Sequence, residues 1–417
     1  MKENTPSGAR GGEKRLNRAV AIVLSALFLG FVFTAFFVMA VNNAQSISDA
    51  MWKKSILSQY EPEDPDLLDR LQARVSAFTS VIADGMWLKE DMGYVNSAFQ
   101  YGLGKRMINT GSQNMVTLTT GHLYDLQNYV PMAAGAEEIL NLRNGPLSDL
   151  PFLFVYEHPT LYDDAMMPAG YGALDHSAEM ADEAVSALRE GGVEVLDSRD
   201  VLPNCGIPLD ELLLRTDQHW STLAAITMAR AIAERIDDMT GAALDPALLD
   251  LENLNTLRHE KLFMGKYGQR VGPRAVTPDD IVEYWPKYDT QISRHTLRTT
   301  TEEDASGDFR TVATRFERLE PDPGRTWNTL AYTYYGQVEA YSVFTNEAAP
   351  DVTVLLLKDS YSAPIATFMS LLARRVVAVD LRQDVGPVEE WVERYRPDVV
   401  VMAYSLQMLR SDDYAFQ

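Results

Sequence analysis

Cysteine is all but missing from this chain. One thiol, Cys205, stands among 417 residues. No intramolecular disulfide can form, and cysteine-built zinc or iron–sulfur centres are excluded. Histidine is also scarce. The six histidines are scattered, with no HxH or HxxxH pair. That spacing argues against a histidine-built metal centre, and no cofactor is expected. Positive charge is short as well: 37 Lys and Arg face 59 Asp and Glu, a net charge of −22. A surface of that sign repels phosphate, so nucleic acid is not an expected partner. Internal repeats are absent. Apolar material is plentiful. Hydrophobic residues make up 46% and aromatics 10%, enough to bury a sizeable core in one large domain or two ordinary ones.

The charge is unevenly placed. Within residues 1–18, Lys2, Arg10, Lys14, Arg15 and Arg18 outnumber Glu3 and Glu13. Residues 19–41, AVAIVLSALFLGFVFTAFFVMAV, carry no charge. As a helix they would extend about 35 Å, enough to cross a hydrocarbon core. The basic flank assigns residues 1–18 to a cytoplasmic tail and the body of the protein to the outer face of a cell membrane. The competing reading is a cleaved signal peptide, for which Val38-Met39-Ala40 and Asn42-Asn43-Ala44 offer small residues. The stretch is longer than the usual apolar region of such a peptide.

Residues 42–115 read as a stalk and N-terminal connecting region, with the acidic run Glu61-Pro62-Glu63-Asp64-Pro65 near its start. From about residue 116 to 417, short apolar runs alternate with amphipathic stretches. The runs are Phe152–Tyr156, Val193–Asp197, Thr353–Leu357, Val376–Asp380 and Val399–Ala403. Helical spacing covers Ser177–Glu190, Ser221–Ile236, Ala363–Arg374 and Val388–Tyr395. Continuous apolar strands alternating with helices predict a mostly parallel sheet buried on both faces, a three-layer α/β/α domain. Residues 257–347 break the alternation and read as an inserted lobe, rich in Thr, Arg, Tyr and Trp.

Ligands meet such sheets at the carboxyl ends of the strands. His158 follows one run, Asp359-Ser360 another, Arg382 the next and Tyr404 the last. A serine at the turn after Thr353–Leu357 would present its hydroxyl at the sheet edge, with its own N–H facing the same cleft. The plainer alternative is that Ser360 or Ser362 caps the following helix. Asp217 and His219 stand two apart before another helix. A carboxylate there can hold one imidazole nitrogen while the other faces a nucleophile. Alternatively Asp217 is a cap and His219 a satisfied surface group. A metal reading would need His158 as third ligand. Together Ser360, His219 and Asp217 are the parts of a Ser–His–Asp hydrolase.

Arg215-Thr216-Asp217-Gln218-His219-Trp220-Ser221 resembles the signature of the DHHW protein family, which is related to the alginate O-acetylation proteins; both have SGNH-hydrolase-like domains. Leu357–Tyr361 resembles that family's strand-and-serine block, and Val379-Asp380-Leu381-Arg382 the Asp-x-Arg one strand later. Phe263–Gly272, Asp279-Asp280 and Pro286–Thr290 are similar to further blocks. The resemblance spans about residues 120–410. It implies an SGNH-like fold with Ser360 as nucleophile, His219 as general base and Asp217 as its orienting carboxylate. Two positions depart from the pattern: Gln218 stands in place of His, and Lys358 precedes Asp359-Ser360 where Gly is common. A lysine there would narrow the oxyanion side. No SGNH asparagine donor is evident, so Arg382 or Tyr404 is the candidate second donor, and both join His158 as candidate substrate-binding residues.

The resemblance implies a membrane-anchored acyl esterase or O-acyltransferase. It would act on cell-envelope polysaccharide through an acyl-serine intermediate, and a separate multi-pass membrane protein would supply the acyl group. The alternative is a non-catalytic carbohydrate-binding or scaffolding protein on the same fold, which Lys358 and the missing asparagine favour.

Overall fold

The computed structural model describes residues 89–409 apart from 110–113, 158–163, 274, 299, 331 and 384, with scattered positions between 23 and 77. The chain divides into two compact units, Met1–Val95 and Asn96–Gln417. The second carries the fold. Most of the apolar segment 19–41 lies outside the described residues, and among those described no helix is long and apolar enough to cross a membrane.

In chain order, β1 (Met107–Asn109), β2 (Asn114–Thr117) and β3 (Leu123–Asp125) form a small antiparallel sheet. Next come β4 (Phe152–Glu157) and β5 (Glu194–Asp197). The antiparallel pair β6 (Leu254–Phe263) and β7 (Asp279–Pro286) stands apart from the main sheet. Then follow β8 (Ile292–Arg298), β9 (Thr301–Gly307), β10 (Tyr341–Thr345), β11 (Thr353–Lys358), β12 (Arg375–Val379) and β13 (Val399–Ser405). The main sheet has the order β5-β4-β13-β11-β12-β10-β8-β9.

Its first five strands are parallel, as the apolar runs predict. Each is buried on both faces because its residues alternate between two cores. Leu153, Val155, Val354, Leu356, Val376, Ala378, Val399 and Val401 face one side, where helices α3 (Thr222–Thr240) and α4 (Ala363–Met369) pack. Phe152, Phe154, Leu355, Leu357, Val377, Val379, Val400 and Met402 face the other, against α1 (Ala133–Asn144), α2 (Ser177–Glu190) and α5 (Val388–Tyr395). With both faces covered, the α/β/α layering follows.

The stretch 257–347 is an inserted lobe only in part: most of β6, and β7, form a sheet of their own, while the later strands do not. β10, β8 and β9 continue the main sheet, with β10 pairing antiparallel to β12. Without them β12 would be a bare, valine-rich edge and an invitation to aggregation. The outermost strand, β9, instead carries Glu302, Glu303 and Asp304 and is largely exposed, a charged edge of the kind that discourages further pairing. The sheet is therefore mixed.

Local signals fix α3, the helix that follows the Asp217–His219 loop. The Ser221 hydroxyl accepts from the Ala224 N–H at 3.3 Å and starts the helix; Gly241, at φ 69°, ends it in the left-handed conformation that glycine adopts without strain.

Candidate active site

Ser360 sits at the turn between β11 and α4, at the carboxyl edge of the sheet. Neither serine caps α4 through its side chain. Ser362 occupies the cap position with no capping bond, and its hydroxyl lies 2.9 Å from Glu157 Oε1 and 3.1 Å from the Ala403 carbonyl. The Ser360 hydroxyl turns instead to His219, with Oγ 2.9 Å from Nε2.

The Asp217–His219 segment does not follow a strand of the sheet. It is a tight loop closed by a bridge between Leu213 and Trp220 and by the Ser221 N–H donating to the Leu212 carbonyl. Within it, His219 Nδ1 lies 2.5 Å from Asp217 Oδ1, and the His219 backbone N–H donates to the same oxygen at 3.0 Å. A carboxylate only accepts, so Nδ1 carries the hydrogen and Nε2 is left as the acceptor for the Ser360 hydroxyl. Asp217 and His219 are buried and Ser360 is half-buried. Burial alone would raise the Asp217 carboxyl. The imidazole beside it and the N–H groups of His219 and Lys266 outweigh burial and hold it below its usual range. The loop thus keeps an ionised carboxylate under the imidazole.

Hydrogen bonds from residues 265–279 fix that loop. The Lys266 N–H donates to Asp217 Oδ2 at 2.7 Å, and the Gly265 N–H to Thr216 Oγ1 at 2.9 Å. Asp279, at the start of β7, accepts from the Arg215 N–H (2.8 Å), the Thr216 N–H (2.9 Å) and the Thr216 hydroxyl (2.5 Å). Burial dominates at Asp279 and pushes its carboxyl up to about 6, against the hydrogen bonds that favour the ion. Aromatic rings enclose the imidazole: Tyr361 at 4.5 Å and Tyr332 at 5.4 Å between centroids. Tyr332 also donates its hydroxyl to the Trp220 carbonyl, and Trp220 Nε1–H donates to the Tyr361 carbonyl.

The remaining candidates are placed elsewhere. Arg382 clasps Asp380 through two bonds of 2.7 and 2.6 Å. Tyr404 is fully buried in the core on the face opposite Trp220 and Tyr361. His158 lies outside the described residues. Lys358, fully buried, directs its ammonium to the Glu339 carbonyl (3.4 Å) and Asp380 Oδ2 (3.6 Å). Burial pulls its pKa down, against the pull of Asp380. Gly265, Thr216 and Asp279 escaped a reading centred on nucleophiles and bases, although all three lie in blocks that carry the family resemblance.

A buried carboxylate, an imidazole and a serine hydroxyl linked in series make a proton relay to a nucleophile. Residues 149–295 match the family model for the SGNH hydrolase-like domain of the acetyltransferase AlgX. The resemblance read from the sequence therefore agrees with the family model, which over residues 149–295 is that of an SGNH hydrolase-like domain. Among solved structures, a DHHW family protein from Eubacterium siraeum superposes with a TM-score of 0.55 at 16% identity, covering 74% of this chain and 95% of that one. Bacillus cereus PatB1, solved with a sulfonyl adduct, gives 0.59 at 15% identity, covering 74% of this chain and all of that one. At these identities the likeness is one of fold. No curated protein sequence matches the chain.

Proposed function

We propose that the protein is a serine O-acyltransferase or acyl esterase working through an acyl–Ser360 intermediate. One observation carries the reading: the unbroken series Asp217–His219–Ser360, with links of 2.5 and 2.9 Å, at the carboxyl edge of the sheet.

In the first half-reaction Ser360 Oγ attacks the acyl carbonyl while its proton passes to His219 Nε2. Asp217 stabilises the imidazolium. In this reading the Ser360 backbone N–H donates to the developing oxyanion. The carbon–oxygen bond to the donor then breaks, and the departing oxygen takes the proton from Nε2. In the second half-reaction Nε2 takes a proton from an acceptor hydroxyl, whose oxygen attacks the acyl carbon; the bond from that carbon to Ser360 Oγ breaks, and Oγ takes the proton back from Nε2. Water as acceptor gives hydrolysis, and a sugar hydroxyl gives transfer. The AlgX family model favours transfer of an acetyl group.

In this reading the acceptor is a cell-envelope polysaccharide, residues 19–41 anchor the chain in the membrane, and the domain works on the extracytoplasmic side. A multi-pass membrane protein supplies the acyl group. Lys358, which favours a non-catalytic protein in the sequence, has its ammonium bound to Asp380 and Glu339 instead. The test is labelling with a serine-directed fluorophosphonate, followed by peptide mapping and by acetyl release or transfer on a model acetylated sugar. Labelling at Ser360 that His219→Ala abolishes is the expected result. An unlabelled, folded protein would leave the non-catalytic reading.

A further inference from the structure

Beneath the Ser360 turn lie two carboxyl groups that the reaction above does not use. Glu157 ends β4 and is fully buried; Asp359 directly precedes Ser360 and is 1% exposed. Their hydrogen bonds tie three segments together. Asp359 Oδ1 accepts from the Tyr361 N–H at 2.8 Å, just past the nucleophile. Its Oδ2 accepts from the Ser405 N–H at 3.0 Å and the Ser405 hydroxyl at 2.7 Å, at the end of β13. Glu157 stands opposite Ser405 in the β4–β13 register. Its Oε1 accepts from the Ser362 hydroxyl, two residues past the nucleophile.

The accepting capacities of the two groups differ. Asp359 already receives three hydrogen bonds, which satisfy most of an ionised carboxylate. Glu157 receives one, no donor reaches its Oε2, and the Asp359 carboxyl lies within hydrogen-bond reach of it. A second negative charge there would be almost unsolvated and next to the first, and two neighbouring buried carboxylates do not both ionise. The proton therefore belongs on Glu157. The charged groups facing it agree: burial and the Asp359 charge push the Glu157 carboxyl well above its usual range, and Lys358 opposes them only weakly.

We propose that Glu157 is a positioning residue that keeps its proton, so that a single negative charge on Asp359 clamps the Ser360 turn to β13 and β4. This rests on Ser360 being the nucleophile. With Glu157 neutral, Asp359 holds the Tyr361 N–H undisturbed, and Ser362 anchors the far side of the turn. With Glu157 charged, the pair repels and the turn loses its footing.

The test compares full-length parent, Glu157→Gln and Glu157→Ala, read as the rate of fluorophosphonate labelling of Ser360 and as thermal midpoint. Glutamine copies the neutral acid in shape. It should label within about threefold of the parent, whereas alanine, freeing the turn to shift, should label about a hundredfold more slowly below its own midpoint. If glutamine falls as far as alanine, the charge is what matters and the proposal fails. It fails equally if alanine labels like the parent. Should alanine not fold, the melting comparison decides. A raised carboxyl stabilises below its unfolded pKa and loses that contribution as pH rises toward the folded value, so from about pH 5 to about pH 9 the midpoint gap moves toward glutamine. A constant gap, or one moving toward the parent, overturns the proposal. A parent that is not labelled at Ser360 refutes the catalytic reading instead, so the two failures are separate.

Discussion

Gly265 offers a sharp test of the site because it is far in sequence from every residue in the relay. Its φ of −66° suits any residue, so backbone strain plays no part in what alanine would do there. Space decides. A Cβ at this position would lie 2.5 Å from the Thr216 carbonyl oxygen and closer still to the Asp217 side chain, against 3.4 Å or more in ordinary contact. Relief requires a movement of roughly 1 Å, and the Thr216 obstacle is backbone. The move must be taken by the segment that carries Asp217, or by Gly265 and Lys266, whose N–H groups hold it. Either way the carboxylate shifts relative to His219 Nδ1.

Overpacking of this kind costs about 1–3 kcal/mol of stability. A displacement of about 1 Å at a reacting group can cost about a hundredfold in rate. The expected outcome for Gly265→Ala is thus a folded protein with a modestly lowered melting temperature and fluorophosphonate labelling of Ser360 slowed by about two orders of magnitude. Labelling and acetyl release are measured well below the variant's melting temperature, so that loss of fold does not enter. Parent-like rates in a variant that melts lower would refute the reasoning, since the loop would then have moved without consequence for the relay.

Three further outcomes are expected. Ser360→Ala should melt like the parent, because its hydroxyl caps no helix and leaves no core cavity, and should lose all labelling; retained turnover would remove the acyl-serine step. Lys358→Met should lose about 1–3 kcal/mol in denaturant unfolding, since one partner of a buried ion pair goes while Arg382 still holds Asp380. Its Ser360 labelling should stay at the parent rate, and slower labelling at unchanged stability would place Lys358 in the site after all. Asp279, its carboxyl pushed up to about 6, favours the protonated fold, so its stabilising contribution is complete below the ordinary carboxylate range and is lost as pH rises through about 6. The melting gap between parent and Asp279→Asn should therefore move in the variant's favour between about pH 4 and about pH 7; the opposite movement would mean that the three hydrogen bonds outweigh burial.

The parallel half of the fold was legible in the sequence because its strands are apolar on both faces. Phe152–Tyr156 and Val399–Ala403 read as buried strands without any partner in view, and α2 and α5 were bounded to the residue by their periodicity. The antiparallel half was not. β8 mixes Arg294, His295 and Arg298 with Ile292 and Leu297, and β9 is almost wholly polar. They are strands because β10 and β12 offer an edge, a fact of tertiary structure that local pattern cannot carry. The same division runs through the site. Ser360, His219 and Asp217 declare themselves by residue type and by position before or after a regular element. Arg382 and Tyr404 have equally suggestive positions, but one is held by Asp380 and the other is turned into the opposite core. Which face a residue takes at a strand end depends on one step of the pleat.

Residues within the stretch read as an insertion support the Asp217–His219 loop. Ser360 is fixed from the sheet: Asp359 and Ser362 bind its turn to β13 and β4. His219 is fixed from residues 265–279, through Gly265, Lys266 and Asp279. His219 and Ser360 are 141 positions apart. Register between the halves comes from their immediate neighbours. Trp220, next to His219, donates its indole N–H to the carbonyl of Tyr361, next to Ser360, at 3.1 Å, and the Tyr361 ring packs on the imidazole. A neutral hydrogen bond of this kind contributes only about 1 kcal/mol to stability. Its geometric effect is larger, because two short segments pinned one residue away from their reacting atoms have little freedom left at those atoms. The separation of Nε2 and Oγ is thus set by a contact between core residues that take no part in proton transfer, and the relay depends on the packing of the core beneath it.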